Sequence, residues 1–214
     1  MLSSPIPTGG RDQEGFLLVR SHMRHTVTTT HLIMNSPAEL RPRVCDAGDV
    51  EVSHVDPPDP QINHMLFMEI GTPYRWFSRL RWTFGEWRRY AQDPSVETWI
   101  GLRSGAPFGY YELQHRDNVT EIMFFGVLHA HTGQGLGGHL LTHAVRRAWE
   151  VAGTARVYVH TCTSDHPAAL ANYLARGFTV DREVVHEEEM PDDDDSVWSS
   201  PVYYSSLRGV FKDS

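Results

Sequence analysis

The chain has 214 residues, 40% hydrophobic and 21% charged, with a formal net charge of −8; that length buries one good core and leaves a second full domain cramped. The acidic balance argues against nucleic acid as a partner, because such binding depends on concentrated Lys and Arg. Cys45 and Cys162 have neither metal-ligand nor redox spacing, no run of about 18 apolar residues is present, and the start lacks signal-peptide order, so a cytoplasmic location with no membrane partner is the default expectation.

Residues 1–25, rich in Ser, Pro, Gly and charge, read as a flexible tail, leaving 26–214 as a single domain. The first strands are expected over 26–34 and 50–55, with a Pro-punctuated segment between them. Asp56-Pro-Pro-Asp-Pro60 makes a stiff turn, and Pro60 suits the first turn of a helix running to about Ile70. Residues 73–90 crowd Tyr74, Trp76, Phe77, Trp82, Phe84, Trp87 and Tyr90 with Arg75, Arg79, Arg81, Arg88 and Arg89. Such interleaving can stack nucleic-acid bases; the preferred reading is helices whose large side chains cover a sheet and whose Arg stems lie along apolar surface. A meander follows over 98–103, 109–115 and 119–128, with turns at 104–107 and 116–118. Its last strand is apolar on both faces apart from Glu121, which places it centrally.

That strand runs into Gly133, Gly135, Gly137 and Gly138 and then into a helical stripe of Leu140, Leu141, Ala144, Val145, Ala148 and Trp149. Strand, glycine loop and helix make an anion cradle: glycine lets the backbone approach a phosphate closely, and the helix's first N–H groups point at it. Gly153 is the expected C-cap, and 156–161 is a strand parallel to 119–128, completing a βαβ unit. Ser164 or Asp165 caps a further helix with Pro167 in its first turn, continuing over 168–176 until Gly177 stops it. A strand over 178–188, a solvated acidic loop over 187–195 and a final edge strand over 202–211 complete the chain.

The glycines also satisfy Gly-x-Gly-x-x-Gly at Gly133, Gly135 and Gly138, the dinucleotide fingerprint. Strands precede the motif, however, and no carboxylate ends the strand 156–161, which speaks against a ribose-binding Rossmann unit. Two motifs instead resemble the GNAT superfamily of acyl-CoA-dependent N-acetyltransferases, specifically over 97–178. The family's Gln/Arg-x-x-Gly-x-Gly/Ala loop corresponds to Thr132-Gly133-Gln134-Gly135-Leu136-Gly137, with Thr132 as the departure. The family's Asn-x-x-Ala-x-x-x-Tyr-x-x-x-Gly-Phe corresponds to His166, Ala169, Tyr173, Gly177 and Phe178, with His166 replacing Asn. Glu121 stands as far before the loop as the catalytic Glu of the histone-acetylating branch.

The resemblance implies an α/β (α+β) fold: a mixed, mostly antiparallel central sheet splayed at a parallel strand pair and flanked by helices. It implies acetyl-CoA as co-substrate, no metal, and a primary amine of a small molecule as acceptor, attacked directly in a ternary complex. A protein Lys or N-terminus as acceptor, or a non-catalytic acyl-CoA-binding module, are the alternatives, and a homodimer is left open. The amine must lose a proton before attack; Glu121 is the expected base, its pKa raised by burial among Met123 and Phe125, with Glu112 as rival. Tyr173 is the expected acid for the departing thiolate. Backbone N–H groups of Val127 and Leu128 are expected to face the developing oxyanion, with Gly126 aiding the splay. Thr132, Gly133, Gln134, Gly135, Leu136, Gly137 and Gly138 are expected at the pyrophosphate, joined by His166 and Asn172 from the second motif. His131 and His166 are placed to flank phosphate or adenine, and Arg146, Arg147 and Arg176 to meet the 3′-phosphate. His139 and His143 have the i, i+4 spacing of a metal pair but no third ligand is spaced to join them. Residues 62–90, with Trp76 and Trp82, are expected to roof the acceptor slot.

Overall fold

The computed structural model describes residues 22–191 and Trp198; the predicted edge strand over 202–211 lies outside them, as do residues 1–21 of the predicted tail. Seven strands, β1 (His22–Met34), β2 (Val50–His54), β3 (Val96–Arg103), β4 (Ala106–Arg116), β5 (Val119–Val127), β6 (Arg156–Cys162) and β7 (Thr179–Pro191), form one sheet in the order β2-β3-β4-β5-β6-β1-β7. Every neighbouring pair is antiparallel except β5 and β6. Four helices flank the sheet: α1 (Pro60–Gly71), α2 (Phe84–Ala91), α3 (Leu136–Glu150) and α4 (Ala169–Ala175). Among the described residues no helix is long and apolar enough to cross a membrane.

The apolar stripe of α3 does what its spacing predicts, burying Leu140, Leu141, Ala144, Val145 and Ala148 against Leu113, Ile122, Val157 and Val159. On the opposite face α1 packs Ile62, Leu66 and Ile70 against Ile100 and Tyr110. Asp59 caps α1 by accepting the Gln61 N–H at 2.8 Å. The predicted helical cover over 73–90 is only partly helical: a short 3-10 turn at Thr72–Tyr74 and further turns precede α2, which Thr83 and Glu86 start with a reciprocal capping box.

The parallel ladder is short. It pairs Val119 with Arg156, Thr120 with Val157 and Glu121 with Tyr158, and then stops. At that point the β4–β5 register shifts, Leu113 facing Ile122 and Glu112 facing Phe124, so Met123 is the extra residue of a bulge. A bulge bends its strand and strengthens the local twist, which draws β5 away from β6. The splay thus begins at Met123 and not at Gly126; a Cβ on Gly126 would lie 2.2 Å from Ile70 Cγ2, so that glycine serves the close approach of α1.

Three expectations at element ends are corrected. The helix α3 closes at Val151, and Gly153 takes its left-handed φ of 87° in the turn beyond. The Asp165 carboxylate does not cap α4: Oδ2 accepts from Cys162 N–H at 2.9 Å and Thr161 Oγ1 at 2.7 Å, closing the strand-to-helix turn, and α4 begins behind Ala168. The acidic run is not a loop over its first part, because β1 extends back to His22 and pairs with β7 as far as Pro191. There Thr26 Oγ1 donates to Glu187 at 2.6 Å and Arg24 meets Glu189 at 3.3 Å, so cross-strand partners offset the poor strand preference of these acids.

Candidate active site

A cleft of about 850 Å³ runs from the glycine loop, through the gap between β5 and β6, to the sheet face under α1 and the 72–83 turns. At its first end, Gly133 and Gly135 adopt φ of 74° and 80°, a region in which a side chain is strained. Among the described residues, no acceptor pairs with the N–H groups of Gly133 to Gly138. Those donors have the positive end of the 15-residue helix α3 behind them.

The side chains around the loop sort themselves plainly. Thr132 Oγ1 donates to His129 O at 2.8 Å; Gln134 Nε2 donates to Ala130 O at 3.0 Å while its Oε1 accepts from Arg103 Nη1 at 2.7 Å. Leu136 is buried in the core. Neither Gln134 nor Leu136 lines the cleft, so any contribution they make to it is through backbone; Thr132, Gly133, Gly135, Gly137, Gly138 and Asn172 do line it. Asn172 Nδ2 sits 3.5 Å from Gly137 O, tying α4 to the loop. His131 and His166 also line the cleft. His131 Nδ1 is buried without a hydrogen-bond partner among the described residues, and His166 Nδ1 accepts the Ala168 N–H at 3.0 Å.

Sequence reasoning missed Arg43. The 36–45 segment, whose Arg43 N–H donates to Thr142 Oγ1 at 2.9 Å, lays this side chain across the loop: a Cβ on Gly135 would lie 2.9 Å from its Nη2, and one on Gly138 would lie 2.7 Å from its Cδ and 2.6 Å from Nη1 of Arg176. Among the described residues no carboxylate pairs with Arg43, and Arg176 donates only to Arg41 O and Asn172 Oδ1. Burial and the neighbouring Arg43 hold Arg176 below its ordinary pKa, the signature of two cations facing one another. Arg147, by contrast, is spoken for: Nε and Nη2 grip Glu97 at 2.8 and 2.7 Å, and Nη1 meets Glu150 at 3.3 Å. Of the three arginines expected at a 3′-phosphate, only Arg176 stands at the loop. The signal available for Arg43 was the Arg41-Pro42-Arg43 triplet in an otherwise unassigned connection.

In the gap itself the two N–H groups expected at the oxyanion point in different directions. Leu128 N–H donates to Phe108 O at 2.8 Å and is therefore not free for an oxyanion. Because antiparallel ladders alternate, that same bond makes Gly109 and Val127 a non-hydrogen-bonded pair and turns the Val127 N–H toward the gap, with Phe125 in the same phase. Tyr173, brought by α4, is 5% exposed, packs edge-on to Phe125 and Phe178, and lines the cleft. Burial pushes its phenol well above the ordinary tyrosine pKa, with the Asp165 carboxylate adding to the rise, so it stays protonated.

The two candidate bases differ sharply. Glu112 is fully buried, accepting from Asn63 Nδ2 at 2.7 Å, Arg79 Nη1 at 2.9 Å and Tyr90 OH at 2.8 Å, and it does not line the cleft. Arg79 is in turn held over the rings of Tyr90, Phe124 and Trp82 at 3.8, 4.3 and 4.5 Å. Glu112 is a structural anion. Glu121 is not buried among Met123 and Phe125 as expected, because the Met123 bulge turns Phe125 to the α3 core while Glu121 faces the other way. Its side chain is 29% exposed and lies 3.4 Å from His160 Nδ1. Trp76 and Trp82 both line the cleft, and Trp76 Nε1 donates to Asp165 Oδ1 at 3.1 Å. His139 and His143 are occupied with structure, accepting Cys45 N–H at 3.1 Å and bonding Tyr111 OH at 2.7 Å.

A mostly antiparallel sheet, parted at the parallel pair β5–β6 beside a glycine loop, is a fold this chain shares with solved N-acetyltransferase structures. The model of the Acetyltransferase (GNAT) family matches residues 64–178, more than half of the chain, and the chain belongs to this family. Three solved structures share the fold. A GCN5-related N-acetyltransferase from Kribbella flavida is 20% identical, with TM-score 0.57, over 79% of this chain and 60% of that one. One from Sphaerobacter thermophilus is 16% identical, with TM-score 0.58, over 80% and 54%. A putative GNAT-family acetyltransferase from Novosphingobium aromaticivorans is 16% identical, with TM-score 0.53, over 79% and 68%. The chain thus spans less than two thirds of the length of the first two. A search of curated proteins returned no match.

Proposed function

We propose that the chain transfers an acetyl group from acetyl-CoA to a primary amine of a small molecule, by direct attack with both substrates in the cleft. The observation that carries this reading is the N–H run from Gly133 to Gly138, without acceptors among the described residues, flanked by Arg43, which meets no carboxylate among them, and by Arg176, at the mouth of a gap lined by Tyr173. A pyrophosphate fits that set of donors: backbone N–H groups at a helix start and guanidinium forks suit its oxygens. Acetyl-CoA supplies the thioester. Val127 and Phe125 N–H groups face the gap, placed to donate to a carbonyl oxygen as it gains charge. The protonated Tyr173 phenol stands ready to hand its proton to a departing thiolate.

A small cationic acceptor suits the other end of the cleft. The chain carries a net charge of −8, and Glu188 joins Asp165 on the cleft wall under the aromatic roof. Thiol release from acetyl-CoA, followed with lysine, spermidine, phenylethylamine and kanamycin, tests the reading: at least one of these amines accelerates release. Release by none of them, or acetylation confined to folded protein substrates, overturns it.

A further inference from the structure

We infer that His160 is the group that takes the proton from the acceptor amine, and that Glu121 is a positioning residue acting through it. This rests on the acyl-transfer reading above and assigns its proton acceptor. Glu121 does not line the cleft, whereas His160 does. The cause is the splay: the parallel ladder ends at Glu121 and Tyr158, and His160 is the next residue on that face of β6, past the point where β5 has turned away. Its side chain is 44% exposed, open to a substrate, while the Glu121 carboxylate sits 3.4 Å from Nδ1.

A carboxylate at Nδ1 keeps the proton on that nitrogen, leaving Nε2 as the basic, outward one. The other groups around the ring do not compete for this role. On β1, His31 stands opposite His160 in register, but its Nδ1 is hydrogen-bonded to Tyr158 OH on β6, so those two satisfy each other. Arg182 and Asp181 of β7 act on that His31–Tyr158 pair with opposite signs. Arg116, Asp165 and Glu188 also line the cleft, and Asp165 bonds Thr161 Oγ1 and Cys162 N–H, the residues that follow His160.

The protons balance as follows. An alkyl ammonium gives up two in all: one goes to Nε2 before its nitrogen forms the C–N bond, and returns from the imidazolium to solvent. The second, lost as the amide forms and the C–S bond breaks, offsets the proton that Tyr173 gives the thiolate. The net product is one amide, one thiol and one released proton.

The test is the pH profile of kcat/KM with acetyl-CoA and whichever of the four amines above releases thiol fastest, for wild type, His160→Gln and Glu121→Gln, with acetyl-CoA affinity measured alongside by calorimetry. Wild type should show an acidic limb as its proton acceptor becomes protonated. His160→Gln should abolish that limb and slow the reaction by roughly 10²-fold at neutral pH, and imidazole added to His160→Gly should restore part of the rate. Glu121→Gln should slow it less and leave the limb in place, as a positioning residue would. Both Gln variants should bind acetyl-CoA as wild type does. Variants that bind normally while His160→Gln keeps the wild-type rate and limb, or Glu121→Gln alone erasing the limb, overturn this inference only. A wild-type protein without affinity for acetyl-CoA overturns the acyl-transfer reading and this inference with it.

Discussion

At the glycine-loop end of the cleft, proposed above to hold the donor, the open groups are backbone N–H groups of one continuous stretch, 133–138, whereas the other end, proposed to hold the acceptor, is walled by side chains delivered by β1, β4, β6, β7 and the 72–83 turns. A backbone cradle tolerates changes in the side chains around it: Thr132 can stand where Gln or Arg is usual because its hydroxyl turns back to His129 O and the N–H groups remain. A side-chain pocket has no such reserve. Each wall depends on the packing behind it, and the wall of Trp82, Tyr90 and Phe124 depends on Arg79 and Glu112.

The comparison is broken most severely at its conformational hinge, Gly135. Val there has to adopt φ near 80° and meet Arg43, so acetyl-CoA affinity should fall by on the order of 10³-fold, with circular dichroism showing helices intact. At the acceptor end, Glu112→Ala leaves Arg79 buried, at 4% exposure, without its anion. A loss of about 3–5 kcal/mol is expected in denaturant unfolding, which separates a structural anion from a catalytic base. Tyr173→Phe sits between the two ends; turnover should drop by roughly 10²-fold with acetyl-CoA affinity unchanged. The smallest effect is expected from Trp76→Ala, raising acceptor KM by about tenfold and leaving donor affinity alone, provided the rings of Phe67 and Phe124 that pack on it hold their place.

The same contrast governs what was legible in the sequence. The glycine loop, the stripe of α3 and the register of Tyr173 were readable because each lies within one short window, where spacing alone dictates geometry. The mixed sheet with its splayed parallel pair was legible too, through the βαβ unit and the resemblance it supported. What failed depends on partners remote in sequence. Leu128 N–H is spent on Phe108 because ladder phase decides which N–H groups face outward; Arg147 is spent on Glu97, fifty residues away. Glu112 stood as the rival base until Asn63, Arg79 and Tyr90 converged on it. The Met123 bulge, which sets the splay and aims Glu121 at His160, leaves no mark in composition. The acids at 187–189 become strand only because β1 lies beside them.

The central claim is that the 133–138 cradle, with Arg43 across it, holds the pyrophosphate of an acyl-CoA. Calorimetric titration of the wild-type protein and of Arg43→Ala with acetyl-CoA, NAD and ATP tests it most directly. The account predicts one acetyl-CoA site per chain, tighter than either nucleotide and weakened about tenfold in Arg43→Ala, the scale of one lost charge-assisted hydrogen bond. Binding of acetyl-CoA no tighter than that of NAD or ATP would contradict it.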